Sequence, residues 1–282
     1  LPEPKTESPQ PTAIDRAEIV RTLTAARERL LSERVVAGHW EGELSSSPLS
    51  TATAVCALTI VRRNQSAEPS APPARLIQGG LRWLCDHAND DGGFGDAAGC
   101  PSNLSTSALA WAALGMFREA NDPPGIGSAF ARAEAWLKNA VGDLTAPALA
   151  EAIGRRYGAD RTFSVPILTM CALAGRFGEG RAAWESVPRL PFELAALPRS
   201  WFRWLGLPVV SYALPALIAI GQVIHDRRPS RNPVARLARG LTRARTLRVL
   251  ESIQPGSGGF LEAAPLTSFV TMSLAGAGRA DH

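Results

Sequence analysis

Residues 80–114, GLRWLCDHANDDGGFGDAAGCPSNLSTSALAWAAL, decide how the chain is read, because they combine a helix, a glycine turn and a second helix in one unit. The apolar pair Trp83-Leu84 is followed by Ala88, then Gly92 and the aromatic Phe94, and an apolar run opens at Leu104. Glycine is the residue that ends helices, so the pattern predicts a break between two of them. The spacing recurs near the C-terminus in Val249-Leu250, Gln254, Gly258 and Phe260, with the next apolar run opening at Pro265. Near the N-terminus it recurs one residue short in Leu30-Leu31, Val35, Gly38 and Trp40, with a run opening at Pro48. Trp136-Leu137 with Gly142 is a worn copy that lacks the aromatic. The interval from Phe94 to Phe260 is about three times that from Trp40 to Phe94, and periods of this size mean stacked helical hairpins.

Composition agrees. The 282 residues are 45% hydrophobic and 20% charged, as in a globular chain. Alanine and leucine fill long segments while tyrosines number 2, so propensity predicts an all-α fold. The net charge of +4 is carried by arginine, Lys5 and Lys138 being the lysines. With no helix-turn-helix, finger or aromatic-interleaved groove beside that charge, nucleic acid is not an expected partner. Cys56, Cys85, Cys100 and Cys171 have no CxxC spacing and no histidine pairs near them, so free thiols in a reducing compartment are expected rather than zinc ligands. Residues 1–12, rich in proline and polar groups, predict a mobile segment. They lack the charged start and apolar core of a signal peptide, and the missing methionine is read as trimming.

Residues 13–282 form the predicted domain. Ile19, Val20, Leu23, Ala26, Leu30 and Leu31 fall on one helical face. Residues 50–61 are apolar on almost every side, as an inner helix is. The alternation continues through a loop at 64–73, an outer helix at 75–87 and, beyond a break at 122–125, a pair at 129–140 and 147–156. Residues 163–177 predict another apolar helix with Pro166 in its first turn. Amphipathic outer and greasy inner helices in alternation describe a two-layered α/α barrel, or toroid. Asp90, Asp91 and Asp96 surround the glycine turn without the spacing of a calcium loop, and capping and turn formation account for them.

Residues 184–204 are broken by Pro188, Pro191 and Pro198 and carry Trp184, Trp201 and Trp204. These aromatics either line a cavity for an apolar ligand or wedge between helices. Residues 204–224 contain no Asp, Glu, Lys or Arg, but Pro208, Pro215 and Gly221 favour a buried inner helix over a membrane span. An arginine-rich helix follows. Val234, Leu237, Leu241, Ala244 and Leu247 share a face that predicts the inward side, with the arginines opposite. Those arginines suit a solvated outer helix or, with the preceding apolar segment, a peripheral contact with anionic membrane lipid.

The repeated unit resembles the QW motif of the squalene-hopene cyclases and related triterpene cyclases. Val249-Leu250, Gln254, Gly258 and Phe260 match it most fully, with Phe for Trp; Ala88 and Val35 replace the glutamine in the other copies. Gly38-His39-Trp40-Glu41-Gly42-Glu43-Leu44 is similar to the stretch opening the family's N-terminal region. Trp184-Glu185-Ser186-Val187-Pro188, Pro191-Phe192-Glu193-Leu194 and Ser200-Trp201-Phe202-Arg203 resemble later stretches in the same order.

The resemblance implies the N-terminal half of an isomerase that cyclises a linear triterpene such as squalene, in hopanoid or terpenoid synthesis, by alkene protonation and a carbocation cascade. It implies no metal or organic cofactor and a second cyclase domain as partner. A cytoplasmic protein is expected, peripheral to the membrane where the arginines meet anionic lipid. The family's acid is an Asp-x-Asp-Asp motif that this sequence lacks, so no catalytic residue is assigned here. Trp201, Phe202, Trp204 and Tyr212 are the expected cavity residues, and Trp40, Trp83, Gly92, Phe94, Gln254, Gly258 and Phe260 the structural repeat. With Ala88 in the glutamine's place, the turn at Gly92 is expected to be a looser clamp than the one at Gly258. A non-catalytic barrel binding an isoprenoid or a partner protein is the alternative. Protein prenyltransferase β-subunits share such barrels but need zinc ligands, which the scattered His39, His87, His225 and His282 do not supply.

Overall fold

Helices that are apolar on every side alternate with helices that are apolar on one, and burial separates them in the same way. The structure, a computed structural model, describes residues 15–41, 45–66, 71–117, 122–158, 160–198, 201, 213–261 and 263–281. The segment 1–12 lies outside them. Two compact units are present, Leu1–Ser45 and Ser46–His282.

In the first unit Asp15 accepts from the Ala17 amide at 2.9 Å and starts α1 (Arg16–Ser32). Its expected apolar face is present as a face but is exposed, Ile19, Leu23 and Leu30 included. A bridge between Arg34 and Trp40 closes the turn that follows.

The second unit holds α2 (Pro48–Asn64), α3 (Ala71–Asp86), α4 (Leu104–Leu114), α5 (Ile126–Val141), α6 (Ala146–Tyr157), α7 (Arg161–Leu173), α8 (Leu214–Arg227), α9 (Pro233–Ser252) and α10 (Ala264–Gly276). The proline-broken segment forms two 3-10 turns, Ala182–Trp184 and Phe192–Ala196. No strand occurs among the described residues, so the fold is all-α. Helices α2, α4, α7, α8 and α10 pack in succession, and α10 returns to α2, closing a ring. These are the all-round apolar helices: α4 is buried from Ser105 through Leu114, α7 from Ser164 through Ala172. A helix without a polar side has no face to give to water and belongs inside.

The outer layer is one-sided. α5 buries Ile126, Ala129, Phe130, Ala133 and Leu137, steps of three and four that mark one stripe. α3 lies on α2, α5 on α4, α6 on α7 and α9 on α8. An inner helix and the outer helix after it therefore make each of the hairpins α2–α3, α4–α5 and α8–α9, and glycine turns lead from α3 to α4 and from α9 to α10. Close packing needs small residues at contacts: a Cβ on Gly80 of α3 would stand 2.5 Å from Val55 Cγ2 of α2.

Several boundaries differ from expectation. α3 begins at Ala71, because Pro72 and Pro73 fall in its first turn, where a missing N–H costs nothing. Pro166 sits in the second turn of α7 rather than the first, Asp160 being the cap. Of the apolar stretch 204–224, the inner helix α8 takes in Leu214 onward, while 204–212 lie outside the described residues. No described helix is long and apolar enough to cross a membrane.

The largest correction concerns α9. Its buried positions are Arg239, Thr246 and Leu250, while Val234, Leu237 and Leu241 are exposed, the reverse of the face the hydrophobic pattern predicts. Charge pairing selects the orientation. Arg239 donates to Glu193 at 3.0 Å, Arg243 pairs with Asp226 at the end of α8, and Gln222 donates to Thr246 Oγ1 at 3.0 Å. Unpairing a half-buried ion pair costs more than exposing leucines, which are common on surfaces.

Candidate functional site

The inner helices bring their N-terminal ends to one side of the ring, and a cavity of about 430 Å³ opens there. Its floor is apolar: Leu109 of α4, Pro166 and Ile167 of α7, Ala216 of α8, Leu266 and Phe269 of α10. The volume falls within the roughly 300–1,000 Å³ of ligand pockets. Each inner helix faces it with its first turn, and three first turns are capped by side chains, Ser47 on α2, Asn103 on α4 and Asp160 on α7. The caps spend polar groups on backbone amides and leave the space between the helices to hydrocarbon.

One wall is aromatic. Tyr157 and Phe163 stack with ring centroids 5.7 Å apart, and Phe269 closes from α10. Tyr157 shares a 2.8 Å hydrogen bond with the Ser105 hydroxyl, which fixes the ring. Such faces attract a developing positive charge. The carboxylate among the described lining residues is Asp96, whose Oδ1 accepts from Asn103 Nδ2 at 2.9 Å and from Thr106 Oγ1. That oxygen orders the start of α4, and the arrangement is a capping device.

Of the expected cavity residues, Phe202, Trp204 and Tyr212 lie outside the described residues; Trp201 is 57% exposed and stands apart from the lining. Sequence reasoning missed Tyr157, Phe163 and Phe269. A signal was present for the last two, since each is an aromatic close to the start of an apolar run. Tyr157 ends an outer helix and carries no such mark. Cys56 and Cys171 are free and fully buried inside the ring, and burial pushes both thiols up, that of Cys171 to about 12. Neither is a nucleophile. Among the described residues no three His, Cys, Asp or Glu side chains gather as a metal site.

Gly92 and Phe94 fall at the turn between α3 and α4, and Gln254, Gly258 and Phe260 at the turn between α9 and α10. Gly92 and Gly258 have φ of 85° and 83°, the left-handed region that only glycine enters freely. In each turn the following phenylalanine amide donates to a hydroxyl of the next inner helix, Phe94 to Ser107 and Phe260 to Thr267, both at 2.9 Å. Gln254 Nε2 donates to the Gly258 carbonyl at 3.0 Å. Trp40 is 47% exposed, and Trp83 is half-buried with its ring stacked on His87.

The turn at Gly92 is the tighter of the two, against expectation. Asp91 accepts from the Gly93 amide at 2.9 Å, the Ser102 hydroxyl at 2.7 Å and the Trp136 indole of α5 at 2.9 Å. A carboxylate with several donors replaces the single glutamine bond, so Ala88 marks a change of device. The Ser102 hydroxyl, ahead of the other donors, holds the Asp91 carboxyl below its ordinary range.

No curated protein matches the chain closely enough to count as a relative. A ring of one-sided outer and all-round apolar inner helices, with glycine turns between them, is what the alternation along the sequence predicted. Residues 23–238 match the squalene-hopene cyclase N-terminal domain, and the chain belongs to that family.

Proposed function

We propose that this chain is the isoprenoid-binding N-terminal half of a triterpene-cyclase-like enzyme, with the proton donor supplied by a second cyclase domain. The observation that carries this reading is the apolar, aromatic-walled cavity at the N-terminal mouth of the ring. A linear isoprenoid lying there meets hydrocarbon on the floor and the faces of Tyr157 and Phe163 on one wall. Aromatic faces stabilise a cation without offering it a nucleophile, and an apolar floor keeps water from quenching it early. Protonating an alkene requires a strong acid, and Asp96 is committed to Asn103 and Thr106.

The test is incubation of the protein bearing both domains with squalene. A cyclised product is expected; its absence with squalene and with other linear isoprenoids sinks the enzymatic reading. The missing acid favours a second reading, a non-catalytic barrel that binds isoprenoid or a partner protein. In that case isoprenoids shift the melting temperature of the chain while no product forms.

A cytoplasmic protein peripheral to the membrane also belongs to this reading. Val234, Leu237 and Leu241 are exposed along α9, beside the exposed Arg236, Arg245 and Arg248. Apolar side chains among arginines suit the interface of an anionic bilayer. Co-sedimentation with phosphatidylserine vesicles, weaker with phosphatidylcholine and lost in L237S/L241S, is expected. Equal recovery with both lipids counts against it.

A further inference from the structure

The mouth of the cavity holds a cation that has no partner among the described residues. Arg156 lines the cavity from the last turn of α6 and is exposed. Its neighbour Arg155 pairs with Glu151, but no described residue gives Arg156 an ion pair or hydrogen bond. The lining carboxylate, Asp96, accepts from the Asn103 amide and the Thr106 hydroxyl and is held at the start of α4. The first turns of α8 and α10 lack a side-chain cap, and Ala213 and Ala263 place them at the same mouth. Among the described residues of this rim, Arg156 is thus the charged side chain without a partner.

A neutral hydrocarbon filling the mouth strips water from Arg156 and returns no partner, which is costly for a charge. A chain ending in an anion returns one, and at an apolar rim their attraction exceeds its value in bulk water. The rim carries a second unusual feature. Leu261 is a non-glycine residue with positive φ, 52°, and is 61% exposed where it lines the cavity. Bulky residues seldom adopt that conformation, and such strain concentrates at ligand clamps. Phe163, 52% exposed, lines the same cavity from the start of α7.

We infer that this cavity takes a single-chain amphiphile with an anionic head, phosphate or carboxylate, the head on Arg156 and the chain among Leu109, Ile167 and Phe269 beneath Phe163 and Leu261. The inference rests on the isoprenoid-binding reading and adds to it a preference, at this mouth, for chains bearing a charged end. A cavity of about 430 Å³ lies toward the small end of ligand pockets and suits a short chain.

Titration of the chain with farnesyl phosphate, farnesol, palmitate and squalene tests it. Farnesyl phosphate is expected to bind about tenfold more tightly than farnesol, the margin of a charge-assisted hydrogen bond. R156Q removes that margin and leaves farnesol unchanged, and R156E reverses it; Arg156 is exposed, and unchanged far-UV circular dichroism verifies that both variants fold. Palmitate binding like the phosphate extends the site to fatty carboxylates, and palmitate binding like farnesol restricts it to phosphates; both support the inference. Equal affinity for all four ligands, untouched by R156Q, overturns the anionic head and leaves the isoprenoid-binding reading standing. Binding of none of them overturns both.

Discussion

The turn at Gly92 and the turn at Gly258 share a backbone and differ in what holds it. Both put glycine at positive φ and send a phenylalanine amide to a hydroxyl on the next inner helix. At Gly92 the neighbouring hairpin presses in. Phe94 is fully buried, and Asp91 gathers an amide, a hydroxyl and the Trp136 indole. At Gly258 the surroundings are open, a cavity of about 260 Å³ lies alongside, and one glutamine-to-carbonyl bond spans the turn. The glutamine serves where a turn must brace itself. Where a neighbour supplies donors, a carboxylate recruits them and the glutamine is dispensable.

The sharpest way to break this comparison is to empty both turns. F94A is expected to cost about 3–5 kcal/mol, the range for deleting a buried phenylalanine. F260A, beside a cavity that already exists, is expected at or below about 3 kcal/mol. Equal losses in denaturant unfolding would remove the distinction. Next come the second glycines. A Cβ on Gly93 would stand 2.6 Å from Ser102 Cβ and 2.9 Å from the Trp136 ring, and on Gly259 3.7 Å from Thr267 Oγ1 at the nearest. G93A is therefore an overpacking substitution worth about 1–3 kcal/mol, and G259A is near neutral.

The third pair tests the polar devices and brings in pH. D91N turns Oδ2, the acceptor of the Trp136 indole, into a donor or forces the amide to give up its other partners. A loss of about 1–3 kcal/mol follows, against about 1 kcal/mol for Q254A. The Asp91 carboxyl lies below its ordinary value of 3.8, so its contribution is present above that value and is lost as pH falls through the lower folded value. The melting-temperature gap between wild type and D91N is expected to be constant near neutrality and to close in acid below about pH 4. Asp91 is exposed, which keeps this contribution modest. A gap that persists undiminished at pH 2 would assign the effect to shape rather than charge.

These contrasts also show what a sequence carries and what it withholds. Inner and outer helices were legible because burial leaves a periodic trace: residues 104–114 have no polar face and α5 has one stripe. The turns were legible because positive φ demands glycine. Pairings between distant residues leave no such trace. Nothing near Asp91 points to Trp136, and nothing near Arg239 points to Glu193, yet that pair sets which face of α9 is buried. The cavity was half legible for the same reason. Its apolar floor follows from the inner helices, whereas the meeting of Arg156, Tyr157 and Leu261 depends on how the ring closes.

The first turn supplies the smallest test. Counted along the sequence, Val35 stands where the glutamine belongs. In the structure Arg34 takes the role: its Nε donates to the Gly38 carbonyl at 2.8 Å, four residues ahead, as Gln254 donates to Gly258. The missing residue is thus lost from the end of the helix, and the turn keeps its length. The guanidinium also lies over the Trp40 ring, 5.6 Å from its centroid. If the side-chain amide is the general device, R34Q preserves the turn and R34A does not. The readout is local, exchange of the Val35 amide, which donates to the His39 carbonyl at 2.9 Å. R34A is expected to speed that exchange about fivefold, the effect of roughly 1 kcal/mol, and R34Q to leave it within about twofold. Equal acceleration in both variants would mean that stacking on Trp40 holds this turn, and the likeness between the first turn and the one at Gly258 would then stop at the backbone.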